Sequence, residues 1–148
     1  MSNFTAKFLL IAAVLVFGGI TAANAQVIGG MAIKVNISNS FILDDRTYPA
    51  GDYTISPTDS TIDSPYLLVL RGPDGVAALF DTIPTDSINA AKNTQLVFDK
   101  VDDRYFLSKI FVKGDTAGNE IRRTKTEKKL IAAGEKKETY TIDLVTGF

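Results

Sequence analysis

The chain contains no cysteine, no histidine and no tryptophan. Without cysteine and histidine it cannot form a Ser-His-Asp or Cys-His nucleophile system, a thiolate or imidazole zinc site, a thiol redox couple or an ordinary haem ligand set. Any reaction would have to use oxygen ligands or the side chains of Lys, Tyr, Ser, Asp and Glu. We therefore expect that the protein is not an enzyme and has no cofactor, and we assign it no catalytic, cofactor-binding or metal-binding residues.

The chain also has no large excess of charge of one sign, since 16 basic and 17 acidic residues give a formal net charge of −1. This balance predicts no nucleic-acid partner and no anionic membrane partner. The basic run RRTKTEKK at 122–129 is interrupted by glutamate and contains no aromatic residue, which is typical of a solvated helix face. The loop GPDG at 72–75 lacks the lysine and the following helix of a phosphate-binding loop.

Residues 1–25 have the composition of a secretory signal peptide. A short polar start with one lysine precedes an apolar run at 8–20, and small residues lead to a cleavage site before Gln26. An uncleaved membrane anchor is the alternative, but the run contains two adjacent glycines and is shorter than the roughly 20 residues that a span needs. We expect cleavage, one mature domain at 26–148 without a membrane span, and a periplasmic or extracellular location.

The mature chain is patterned as a series of short strands. Apolar residues recur mainly at a spacing of two, and turn residues interrupt them at short intervals. The stretch Met31–Ile37 alternates apolar and polar residues, and the turn GPDG joins two further strands at Tyr66–Arg71 and Val76–Phe80. A last strand is predicted at about 138–145. Because no disulfide can form, packing and backbone pairing must supply the stability.

One helix is predicted at about 120–133, where good helix formers occur without Gly or Pro and are followed by Gly134. Its apolar face is thin, so it should lie on the surface. Together these patterns predict a mostly β fold. We expect an antiparallel β-sandwich or small β-barrel of about eight strands with one C-terminal helix.

The most strongly patterned stretch is Thr94–Val112, with Asp102-Asp103-Arg104 at its centre. We interpret it as a hairpin whose loop length decides the register. A loop with an odd number of residues would place Phe98 on the face of Ile110, and an even loop would place it on the face of Leu107. Both registers leave apolar side chains on each face, so we expect this ribbon to lie centrally and to be covered on both sides.

Asp99, Asp102 and Asp103 form an acidic cluster in and beside this hairpin. Such a cluster could bind a cation or act in acid/base chemistry, but the Asp-x-Asp-x-Asp-Gly spacing of a calcium loop is absent. Aspartate favours turn geometry, and charge keeps an exposed loop soluble. We therefore favour a solvated turn over a reactive site.

Two segments, RTYPAGDYTI at 46–55 and TQLVFDKVDDRYFLSKI at 94–110, resemble a group of small secreted bacterial proteins of unknown function. That group has a Leu-Pro-Ala-Gly-Glu-Tyr bend, a Leu-Val-Phe hairpin continued by Tyr-Phe-Leu-Ser, and a charged helical tail. The resemblance extends over about Ile33–Leu130 and implies an exported, mostly β domain without known catalytic residues. The chain departs from the group at Tyr48 in place of leucine, Asp52 in place of glutamate, and Val101-Asp102 in place of Tyr-Gly.

The leading functional hypothesis is an exported, non-catalytic β domain with a binding or cell-envelope role and a protein or envelope partner. One alternative is a small-ligand carrier with a lipocalin-like barrel, although the Gly-x-Trp signature of that class cannot occur in a chain without tryptophan. Another is a glycosidase that uses two loop carboxylates from Asp44-Asp45, Asp59 and Asp63. A subunit that assembles through its last strand, Tyr140–Val145, is the fourth.

Overall fold

The computed structural model describes residues 32–58 and 66–144. The predicted signal peptide and the candidate acids Asp59 and Asp63 lie outside the described residues. The elements in chain order are β1 Ile33–Ile37, β2 Phe41–Leu43, β3 Arg46–Tyr48, β4 Gly51–Pro57, β5 Leu67–Gly72, β6 Gly75–Asp81, β7 Ile83–Asp86, β8 Thr94–Val101, β9 Arg104–Phe111, β10 Ala117–Glu120, α1 Lys125–Ala132 and β11 Lys137–Leu144.

The strands form two sheets that do not close into a barrel. Sheet A has the order β1-β4-β5-β6, and sheet B has the order β11-β8-β9-β10-β7. Strand β2 lies parallel to the first part of β9 and antiparallel to β3, and the other described pairings are antiparallel.

The prediction of a mostly β sandwich with one helix near its C-terminus is confirmed. The described residues contain eleven strands rather than about eight. The additional strands are β3, β7 and β10, which have three or four residues each. Segments of that length show too few alternations for a period of two to be recognised in the sequence.

The core lies between the two sheets and is filled by side chains from both. Strand β1 buries alternate residues, as its sequence predicts. The ring of Phe41 lies 5.2 Å from that of Tyr53 in sheet A and 6.0 Å from that of Phe98 in sheet B, measured between ring centroids. Burying one large apolar side chain contributes roughly 1.5–3 kcal/mol, so this core can hold the sheets together without a disulfide.

The hairpin between β8 and β9 turns through only two residues. Val101 pairs with Arg104, and Asp102 and Asp103 have φ angles of 48° and 55°. Two successive positive φ angles define a type I′ turn, which matches the twist of the flanking strands. Aspartate tolerates this left-handed conformation better than most residues, and this explains the charged residues at the tip.

A β-bulge inside the ribbon makes each of the two predicted registers correct for part of its length. Near the turn Phe98 pairs with Leu107, as an even loop requires, while beyond the bulge Leu96 pairs with Ile110. Ser108 is the unpaired extra residue. The bulge therefore keeps the larger apolar residues of both strands in the core.

The ribbon is buried on both faces, as predicted. Leu96, Phe98 and Leu107 belong to the core between the sheets. On the opposite face Val101 and Phe106 are also fully buried, on the side where α1 packs against β8. The ribbon is thus an internal part of sheet B.

The predicted helix at 120–133 is wrong at its N-terminal end. Residues 117–120 form β10, which pairs with β7 and β9, and α1 begins only at Lys125. Pairing on both sides overrides the helix propensity of Glu120. The C-terminal end is as predicted, because Gly134 has a φ of 90° and its N–H donates to the carbonyl of Ile131 at 3.1 Å. Among the described residues no helix is long and apolar enough to cross a membrane.

Candidate functional site

Two acidic side chains are buried in the described part of the chain, Asp99 at 5 % exposure and Glu127 at 3 %. Asp99 belongs to β8 and Glu127 to the first turn of α1. The hydroxyl of Thr124 accepts the backbone N–H of Glu127 at 3.0 Å and so fixes that turn as the N-cap. We call Asp99 and Glu127 the carboxyl pair.

Glu127 holds its proton more tightly than an ordinary glutamate. Burial, a hydrogen bond with Asp99 and the charge of Asp99 together raise the pKa of Glu127 to about 7, while the charges of Arg123 and Lys137 act in the opposite direction. A protonated Glu127 avoids placing two negative charges side by side in a buried site.

Two cationic side chains, those of Arg123 and Lys137, lie next to the carboxyl pair. The Nε atom of Arg123 lies 4.0 Å from Oδ2 of Asp99 and 3.7 Å from Oε1 of Glu127, and Nζ of Lys137 lies 3.5 Å from Oδ2 of Asp99. Oε1 of Glu127 is buried and accepts no hydrogen bond within the described structure. The cluster joins α1 to β8 and β11, so it connects the helix to the outer face of sheet B.

The geometry of the carboxyl pair does not match a glycosidase centre. A glycosidase centre needs two acids that flank a sugar in a common cleft. Neither Asp99 nor Glu127 lines any of the clefts described below. Asp99 was a candidate from the sequence alone, but Glu127 was not, because a single glutamate in a charged helix gives no signal of burial.

The other candidate acids lie at turns. Asp102 and Asp103 are exposed at the tip of the ribbon, and Oδ1 of Asp103 lies 3.6 Å from Nζ of Lys100. The structure thus separates them from the buried Asp99. Asp44 and Asp45 form a second two-residue turn, with φ angles of 53° and 60°. No group of three potential ligands among His, Cys, Asp and Glu is placed to hold a metal in the described residues.

Asp45 has a local structural role at the N-terminus of α1. Its Oδ1 accepts the backbone N–H of Thr126 at 3.4 Å. Burial alone would raise the pKa of Asp45, but hydrogen bonds from Thr126, Lys125 and Thr124 outweigh it and hold the pKa below its ordinary value. A carboxylate at this end also interacts favourably with the helix dipole.

A cleft of about 460 Å³ lies where the chain passes from sheet A into sheet B; we call it the edge cleft. At this corner the amide Nδ2 of buried Asn119 donates to Oγ1 of Thr82 at 2.6 Å, and that hydroxyl donates to the carbonyl of Tyr66 at 2.9 Å. These bonds fix the corner. The edge cleft is lined by Asp44, Tyr66, Leu67, Leu79, Phe80, Asp81, Thr82, Ile121 and Arg122.

Two large apolar side chains of β6 are exposed to solvent, and one of them, Leu79, lines the edge cleft. Val76 is 63 % exposed and Leu79 is 57 % exposed, and both belong to β6 at the end of sheet A. Val76 pairs with Arg71 and Leu79 with Val69, with a register shift between them. This bulge places Val76 and Leu79 on the same outer face of the sheet, although three positions would normally separate them onto opposite faces.

Comparison of the chain with protein-family models, with curated proteins and with solved structures found no match. The resemblance to the small secreted bacterial group therefore stays a prediction.

Proposed function

We propose that this protein is an exported, non-catalytic β-sandwich that binds a protein partner in the periplasm or outside the cell. The observation that carries the proposal is the pair of exposed apolar side chains, Val76 and Leu79, on the outer face of edge strand β6, where Leu79 also lines the edge cleft. Apolar side chains grouped on one surface typically mark an interaction site, whereas single exposed ones need no explanation.

Strand β6 differs from the other sheet edges in the described structure. Edge strand β1 carries Lys34 on its exposed face, β7 contains Pro84, and β11 carries Lys137 and Asp143. Charge and proline are the usual means by which an edge is kept from pairing with another chain. Strand β6 has neither from position 75 to 80.

The partner that fits this surface is an extended segment of another protein. From Ala78 to Asp81 the strand continues beyond its bulge in regular pairing with β5, so its outer backbone groups can receive an added strand. Such a segment would place alternate side chains over Leu79 and into the edge cleft. Leu67 and Phe80 supply apolar contacts there, and Asp81 supplies a carboxylate at its rim.

A photo-reactive side chain at position 79 tests this proposal in the exporting cell. We expect a cross-linked product with a second protein, which mass spectrometry would identify. Position 88 is the matched control, because Ile88 is apolar and 98 % exposed but lies away from β6. The identified partner should bind the purified protein about ten-fold more weakly after Leu79→Lys and normally after Ile88→Lys.

The same product at both positions, or none at position 79, would contradict the proposal. A product containing only two copies of this chain would replace the partner with self-association. Turnover of a substrate by the purified protein would contradict the non-catalytic part.

The carrier alternative has less support. A lipocalin-type carrier needs a closed barrel around an enclosed cavity. In this protein two separate sheets pack on each other through the side chains of Phe41, Tyr53 and Phe98. For the glycosidase alternative, Asp44 and Asp81 both line the edge cleft, but both are exposed to solvent, whereas a general acid needs a carboxyl group whose pKa is raised by an apolar site.

A further inference from the structure

A row of polar side chains crosses the outer face of sheet A. Lys34 of β1 lies opposite Thr54 of β4, and Thr54 lies opposite Arg71 of β5. Their neighbours Val35, Tyr53 and Leu70 point into the core, so the row points outward. Adjacent strands are about 4.8 Å apart, which places the backbones of Lys34 and Arg71 roughly 10 Å from each other with a hydroxyl between them.

The two cations of this row have no acidic partner in the described structure. Neither Lys34 nor Arg71 takes part in the ion pairs found there. The acidic residue nearest to them in the pairing register is Asp52, one row away, and its Oδ1 accepts the amide Nδ2 of Asn36 at 2.8 Å. The row is therefore suited to an anionic group.

The row forms part of an open cleft of about 460 Å³, the outer-face cleft, which lies on β1, β4 and the tip of the β5–β6 hairpin. Gly72 lets the end of β5 lie close to the ring of Tyr53, because a Cβ at that position would be 3.3 Å from this ring. The walls carry amide, hydroxyl and carboxylate groups from Asn36, Thr54 and Asp52. These groups bond sugar hydroxyls as donors and acceptors.

We propose that the outer-face cleft binds an acidic polysaccharide. A carboxylate of the polymer would lie between Lys34 and Arg71, and neighbouring sugar hydroxyl groups would hydrogen-bond to Asn36 and Asp52. A lone inorganic anion gains little at this site, because each exposed ion pair is weak and screened by salt. A polymer with a repeated charge and hydroxyl groups makes all of these contacts together and offers many equivalent positions along its length.

The residues of this cleft favour a polysaccharide over a nucleic acid. Binding of single strands relies on aromatic rings on which bases stack. Tyr53, the aromatic residue of this cleft, is buried, and its hydroxyl donates to the carbonyl of Pro49 at 2.7 Å. Its ring is therefore not exposed as a platform. This site does not depend on β6, so the two binding proposals succeed or fail separately.

The test is binding of the purified protein to polygalacturonate at low salt, with uncharged dextran and single-stranded DNA as comparison polymers. We expect binding to polygalacturonate that decreases at high salt, and no comparable binding to the other two polymers. The double variant Lys34→Gln/Arg71→Gln should bind about ten-fold more weakly. The double variant Lys128→Gln/Lys129→Gln removes the same charge from exposed positions of α1 and should bind normally.

The proposal is overturned if polygalacturonate does not bind or if both double variants weaken its binding equally. Equal or tighter binding of DNA that is lost in Lys34→Gln/Arg71→Gln would replace the polysaccharide with a nucleic acid.

Discussion

Replacing Glu127 with glutamine should remove a pH dependence of folding that the carboxyl pair creates. Glu127 has an ordinary pKa of 4.5, and in the folded protein its pKa is about 7. Because folding raises this pKa, the contribution of the group to stability is complete below pH 4.5 and is lost as the pH rises through 7. The difference corresponds to roughly 3 kcal/mol, most of it between pH 5 and pH 8.

The groups that face Glu127 decide the sign of this effect. Asp99 on β8 opposes ionisation, whereas Arg123 before α1 and Lys137 on β11 favour it. Above pH 7 the carboxyl group of Glu127 loses its proton beside the charge of Asp99, and the contact of α1 with β8 should weaken. Glutamine is uncharged at every pH and can still donate to Asp99.

Urea denaturation at several pH values between 5 and 8 measures the effect directly. The wild-type protein should lose roughly 2–3 kcal/mol over this range, whereas Glu127→Gln should stay nearly constant and be the more stable protein at pH 8. The chain has no histidine and no cysteine, so few other groups titrate in this window. Glu135→Gln, an exposed change just after α1, should behave as the wild type. Parallel pH profiles for wild type and Glu127→Gln would refute a raised pKa of Glu127.

Three further substitutions test packing and polar contacts, each by urea denaturation at constant pH. Gly118→Ala should cost about 2 kcal/mol, because a Cβ there would lie 2.5 Å from the ring of Phe111; a stability equal to wild type would show that β10 can move away. Thr82→Val should cost about 1–3 kcal/mol by leaving the buried amide of Asn119 without its acceptor, and a neutral result would contradict that bond. Thr124→Ala should cost about 1 kcal/mol by removing the N-cap of α1, unless the first turn of the helix contributes nothing to stability.

Much of the fold could be predicted because its signals are local. The alternation in β1, the turn between β5 and β6, and the end of α1 at Gly134 each depend on a few consecutive residues. The start of α1 could not be predicted in this way. Residues 117–120 favour a strand only because β7 and β9 pair with them from both sides, and those partners are distant in sequence.

The candidate sites also differ in whether the local sequence could predict them. The exposed turn at Asp102 and Asp103 follows from residue type, since aspartate accepts a positive φ. The carboxyl pair does not follow from residue type. Its two members are 28 positions apart, and nothing near either of them indicates that Glu127 loses its water when α1 packs on β8.

The sequence by itself determined which chemistries this chain cannot perform and that its residues alternate as strands, because composition and a period of two are properties of the chain before it folds. The tertiary structure alone decided which polar groups lose their water and which apolar groups keep it. Burial depends on what packs against a residue from elsewhere in the chain. For that reason Glu127 became buried and its pKa rose, while Val76 and Leu79 stayed exposed on the edge of sheet A.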